Sequence, residues 1–159
     1  MPDRRNYPDR RKQSQSTPEQ DFVEAFFRGI GQIISFLFKG AGRGANSGER
    51  NARFTELRDH WQDVELHLLQ PDTAALAVGE ADKILDAAFQ AIGISGQSMG
   101  ERLKAATGWL PNELYQRVWD AHKLRNSLAH EIGVSVAPQE AQRAVSAIRE
   151  ALYHLKILV

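Results

Sequence analysis

Three prolines constrain the fold of this chain more than any other feature. Pro71, Pro111 and Pro138 fall between stretches in which apolar residues recur every three or four positions, the spacing of one helix face. In the first stretch Phe54, Leu57, Trp61, Val64 and Leu68 step by 3, 4, 3 and 4, and the pattern stops before Pro71. In the second, Ala77, Ala81, Ile84, Leu85, Ala88 and Ile92 form the stripe. Asp72 or Thr73 suits its N-cap and Gly93 its C-cap. Ser98-x-x-Glu101 is a capping box that opens a short third helix, carrying Met99 and Leu103 and ending by Gly108. A fourth helix runs from about Pro111 to Glu131. The fifth begins near Pro138, a favoured first helical position, with Ala141, Val145, Ile148, Leu152, Leu155 and Val159 on its stripe. Only Ile132 to Val136 reads as extended, too short to build a sheet. Amphipathic helices with short connections predict an all-α fold: an antiparallel bundle of four to five helices over residues 49–159.

The front of the chain has a different character. Residues 1–20 read as a disordered basic tail, with Arg4, Arg5, Arg10, Arg11 and Lys12 and no apolar anchor. Residues 21–39 then hold Phe22, Phe26, Phe27, Phe36 and Phe38, five of the seven phenylalanines, with Ile30, Ile33, Ile34 and Leu37. Asp21, Glu24, Arg28, Gln32, Ser35 and Lys39 recur in steps of three and four, which places them on one helical stripe. Ten residues, Gly29 to Phe38, are free of formal charge. A spanning helix needs about 20 apolar residues. The segment is therefore expected to be a separate amphipathic helix lying at a membrane surface; self-association or packing on the main domain are the alternatives. Residues 40–48, with four glycines, form a flexible linker.

Charge divides the same way. Residues 1–47 carry eight Lys/Arg and five Asp/Glu, and residues 48–159 carry twelve and fifteen. The basic excess sits where it can meet anionic lipid. The mildly acidic main domain argues against broad coating of a nucleic-acid backbone, which needs clustered Lys/Arg. The chain has no cysteine, so it has neither disulfide nor thiolate chemistry, which is compatible with a reducing compartment. A membrane-associated protein with a cytoplasmic main domain is the expectation. The five histidines show no metal-ligand spacing, and no glycine-rich phosphate loop is present, so neither a metal site nor a cofactor is expected.

The fourth helix carries the chemistry. On a helical wheel Leu114, Val118, Ala121, Leu124, Arg125 and Leu128 cluster, so the core-facing stripe contains an arginine. A second stripe runs Tyr115, Trp119, His122, Asn126 and His130, a ladder of aromatic, imidazole and amide groups suited to contacting a ligand, a second copy or another helix. Within it, Arg125-Asn126-x-x-x-His130 resembles the signature of the HEPN superfamily of small helical bundles. The resemblance implies a homodimer in which the paired motifs cleave RNA without metal. Arg125 would meet the scissile phosphate, His130 would assist attack by the 2′-hydroxyl, and Asn126 would orient the histidine. Guanidinium and imidazole suit those roles, as a bidentate phosphate binder and a group that titrates near neutrality. Gly79 to Asp86 and Met99 to Lys104 also resemble a group of bacterial proteins in which a hydrophobic N-terminal segment precedes such a domain. That likeness implies the architecture and not the chemistry.

Two other readings of the motif stand beside cleavage. Arg125 can pair with Glu80, Asp82 or Asp86 on the second helix as a structural brace. Alternatively, the domain binds an RNA or protein partner without catalysis. The non-catalytic binding or scaffold role is preferred, with the ribonuclease as the alternative.

Overall fold

The computed structural model describes residues 47–130 and 135–159. The basic tail (1–20), the Phe-rich segment (21–39) and most of the linker lie outside the described residues. Five α-helices follow in order: α1 (Ser47–Leu68), α2 (Ala74–Ala91), α3 (Met99–Ala105), α4 (Asn112–His130) and α5 (Pro138–His154), with a 3-10 turn at Pro71–Thr73 between α1 and α2. No strand occurs among the described residues, and the all-α bundle is as the periodicity predicts. Ser47 and Gly48, expected at the end of the linker, form the start of α1. No helix among the described residues is long and apolar enough to cross a membrane.

The bundle is built round α2, which packs against α1, α3, α4 and α5. Its alanines make this possible. Ala74, Ala77, Ala81 and Ala88 are all at most 1% exposed, so neighbouring helices approach closely on several sides. Val78, Leu85 and Phe89 fill the remaining volume without exposure, each contributing roughly 1.5–3 kcal/mol from burial. The seam of α1 buries Leu57, Trp61 and Val64 against this centre. From α5, Ala141, Val145, Ile148 and Leu152 are buried.

Caps and turns follow the sequence with two differences. Thr73 takes the N-cap position of α2, but its hydroxyl donates back to the His67 carbonyl (2.6 Å) instead of capping the helix. Ser98 does cap α3, its Oγ accepting from the Glu101 amide at 3.3 Å, and Glu101 Oε2 accepts from the Gln97 amide at 2.7 Å. At the C-terminus the stripe expected to reach Val159 stops early. Lys156 adopts φ 61°, which turns the chain so that Ile157 is fully buried and Val159 is 87% exposed. The Ile157 carbonyl accepts from Arg58 Nε at 2.6 Å, joining this tail to α1.

Candidate functional site

A cleft of about 460 Å³ opens where α2, α3 and α4 meet. From α2 it takes Asp82, Lys83, Asp86 and Ala87, and from α4 His122, Arg125 and Asn126. The loop before α3 and its first turn close the other side with Gln97, Ser98, Met99, Gly100 and, a little further on, Arg102.

Four of these side chains form a closed ring. Asp82 Oδ1 lies 2.9 Å from His122 Nδ1, and His122 Nε2 lies 3.2 Å from Asn126 Nδ2. Asn126 Oδ1 accepts from Arg125 Nη1 at 3.1 Å, and Arg125 Nε returns to Asp82 Oδ2 at 3.7 Å. The ring fixes the protons. A guanidinium has only donors, so the Asn126 amide turns its oxygen to Arg125 and its NH2 to the imidazole. His122 Nε2 therefore accepts, and the ring proton sits on Nδ1, donated to Asp82. Asp82 is 3% exposed and His122 8%, so both depend on this pairing. Arg125 Nε is covered and makes no hydrogen bond, since its distance to Asp82 allows a charge interaction only.

A second brace sets the wall opposite. Arg102 grips Asp86 through Nε (2.6 Å to Oδ1) and Nη2 (3.0 Å to Oδ2), and its Nη1 donates to the Gly96 carbonyl. The pair is nearly buried and holds the loop and α3 against α2. Gly96 cannot carry a side chain here. Its φ is 152°, and a Cβ would sit 2.7 Å from the Arg102 backbone nitrogen. At Gly100 a Cβ would lie 3.6 Å from His122 Nε2, so α3 passes close to the imidazole.

The three carboxylates that sequence offered to Arg125 are thus distributed. Asp82 takes Arg125 together with His122, Asp86 takes Arg102, and Glu80 takes His67 at 2.7 Å. Lys83 is half-buried on the same helix. Burial first, and then the charge of Arg125, push its ammonium down to about 8, against the opposing pull of Glu80 and Asp82.

Of the sequence candidates, Arg125, Asn126 and His122 come together in the cleft. His130 is the exposed last residue of α4 and is not among the lining residues. Tyr115 and Trp119 are half-buried and pack on the core. They stand edge to face (6.4 Å between ring centres), and Trp119 meets the His122 ring in the same way at 6.0 Å, so the aromatic part of the ladder supports the imidazole from behind. The Phe22 to Phe38 candidates lie outside the described residues.

Sequence reasoning missed Lys83 and Arg102 as lining residues of this site, and offered Asp82 and Asp86 only as partners for Arg125. A signal existed for Asp82. Val78, Asp82, Leu85 and Phe89 step by 4, 3 and 4 and are all buried, so a carboxylate sits within an apolar stripe and needs a partner. No such signal marks Arg102. Among the described residues no group of three or more His, Asp or Glu is placed to hold a metal ion. No protein-family model, curated protein or solved structure matches this chain.

Proposed function

We propose that residues 49–159 form a non-catalytic binding domain whose cleft captures an anionic group of its partner, and that residues 21–39 hold the domain at a membrane surface. The observation that carries the reading is the closed ring. It engages both nitrogens of His122 internally and holds Arg125 beside Lys83 at the cleft. An imidazole with neither nitrogen available is a poor general base. A guanidinium and an ammonium in one half-buried cleft suit an anion. The membrane part rests on the phenylalanine density and polar stripe of residues 21–39.

The test is binding by the full chain, measured by fluorescence anisotropy with a short labelled RNA and with an acidic peptide, in excess EDTA. Binding of either, weakened about tenfold or more by Arg125→Gln and without cleavage, supports the reading. Absence of binding to both sinks it.

A HEPN-like ribonuclease acting as a homodimer is the second reading. It is favoured by one placement: Arg125 and Asn126 line the cleft, and exposed His130 follows one turn later, about 6 Å along the helix axis. RNA cleavage by the parent chain in EDTA, abolished by both Arg125→Ala and His130→Ala, would establish it in place of the first.

A further inference from the structure

We propose that the ring of four side chains is a proton-operated catch: when His122 Nε2 takes up a proton, the Asn126 amide turns over and Arg125 is released into the cleft. The catch depends on hydrogen-bond geometry alone and operates whatever the cleft binds.

Each hydrogen bond of the ring joins a donor to an acceptor. His122 Nδ1 donates to Asp82 Oδ1 (2.9 Å), Asn126 Nδ2 to His122 Nε2 (3.2 Å) and Arg125 Nη1 to Asn126 Oδ1 (3.1 Å). The two ends are fixed in kind, since a carboxylate only accepts and a guanidinium only donates. The two middle members can reverse. An imidazole accepts or donates at Nε2, and an amide presents either end. With a proton on Nε2 the imidazole has two donors and no acceptor. Nδ1 keeps Asp82, but Nε2 then faces the Asn126 NH2, donor against donor. The amide relieves this by turning its oxygen to Nε2, which aims its NH2 at Arg125 Nη1. The conflict has moved to the guanidinium, the member best able to leave. The Arg125 side chain is 23% exposed, against 10% for His122 and 4% for Asp82.

Charge acts in the same direction. Asp82 is shared, with Oδ1 facing His122 and Oδ2 lying 3.7 Å from Arg125 Nε, a charge contact without a hydrogen bond. A protonated imidazole takes more of that carboxylate and repels the guanidinium beside it. The other charged groups of the cleft are Lys83 and Asp86 from α2 and Arg102 from α3. Asp86 is committed to two nitrogens of Arg102. On α4 itself, Asp120 and Lys123 pair with each other in an exposed position. Trp119 stands edge to face with the imidazole at 6.0 Å and adds no charge. Because His122 lines the cleft, a proton can reach Nε2 from solvent without opening the core.

Magnetic resonance of the nitrogen-15-labelled full chain, followed as pH is lowered, tests the catch. Two sets of signals are read together: His122 Nε2, whose shift reports its own proton, and the two Nη atoms of Arg125. A bonded Nη1 slows rotation of the guanidinium, so the two Nη atoms give separate signals, and release merges them. The expected result is merging over the same pH interval in which Nε2 gains its proton, with the Nδ1 proton retained and the chain still folded. Asn126→Asp supplies a carboxylate that accepts from both neighbours, so it should keep the Nη signals apart throughout. His122→Gln offers an NH2 to Asp82 and an oxygen to Asn126 but takes up no proton, and should do the same. Separate Nη signals in the parent after Nε2 is protonated overturn the catch. Merging in His122→Gln overturns it too, since another group would then be responsible. So does an Nε2 that gains no proton until the chain unfolds.

Discussion

Asp82 and His122 stand 40 residues apart in the chain and 2.9 Å apart in the fold, a buried carboxylate on α2 bonded to a buried imidazole on α4. The bond does two things. It pins the cleft side of α4 to the central helix, and it dictates which imidazole nitrogen turns to Asn126 and hence where Arg125 is held. The cleft residues are therefore positioned by a group that itself contributes to folding.

Removing Asp82 should be costly. In Asp82→Ala the buried His122 loses its acceptor and the half-buried Arg125 its opposing charge, a loss of about 3–5 kcal/mol. Asp82→Asn keeps an oxygen for the imidazole and loses only the charge opposite Arg125, so about 1–2 kcal/mol is expected. Urea denaturation of the two variants should rank them in that order. Equal, small losses would show that the ring does not brace the bundle.

The two glycines of the cleft wall should separate in their response. Gly96→Ala forces a Cβ to 2.7 Å from the Arg102 backbone nitrogen, where no side-chain movement helps, and should lower stability by roughly 2 kcal/mol or more. Gly100→Ala makes an ordinary 3.6 Å contact with His122 Nε2 and should leave the melting temperature within a few degrees of the parent. Thermal melts of both variants decide the matter, and equal shifts would contradict it.

Lys156 offers a stabilising change. It holds φ 61° just after α5, a left-handed position at which glycine has no Cβ penalty. Lys156→Gly should stabilise by up to about 1 kcal/mol, part of the relief of strain being offset by greater freedom in the unfolded chain. Equilibrium denaturation reads the change, and a loss of stability would mean that the Lys156 side chain holds the turn.

Stability should also respond to pH through Lys83. Its ammonium is pushed down to about 8 in the fold from the usual 10.5, so between those values the unfolded chain binds more protons. Stability must then rise with pH across that window. Because Lys83 remains partly exposed, solvent screening reduces the gain to about 1 kcal/mol. The contrast between parent and Lys83→Met, measured at both ends of the window, removes the tyrosine contribution. It should move in favour of the parent as pH rises, and no movement would show that Lys83 is well solvated.

The bundle was readable because each helix announces its buried face. The stripe of α1 and most of that of α5 are buried as spaced, and Pro71 and Pro138 fall in the 3-10 turn and at the start of α5. Arg125 was recognisable as a cation in an apolar stripe, and His122 and Asn126 from the ladder beside it. The opposite walls of the cleft were not, for two reasons. Asp82 looks from composition like a solvated residue beside Glu80 and Lys83, and only the burial of α2 on several sides places it in the core. Arg102 reaches Asp86 and the Gly96 carbonyl across a loop whose path no periodicity encodes. Val159 was misplaced for a related reason: a left-handed residue at Lys156 ends the helical register, and nothing in the side-chain pattern signals it.

The proton arrangement of the ring can be read directly. In the parent chain Asn126 donates to His122 Nε2, which leaves a neutral imidazole with its proton on Nδ1. Nitrogen-15 chemical shifts of the labelled ring should report that tautomer. Asn126→Asp replaces the donor with a carboxylate that still accepts from Arg125 but has nothing to give Nε2. The imidazole then lies between two carboxylates, and its doubly protonated form, which donates from both nitrogens, satisfies each of them. The shifts of the variant should accordingly show both ring nitrogens protonated, where those of the parent show a proton on Nδ1 alone. An unchanged tautomer in the variant would mean that residue 126 does not contact Nε2, and with that the ring, and the positioning of Arg125 that depends on it, would be lost as an explanation of the cleft.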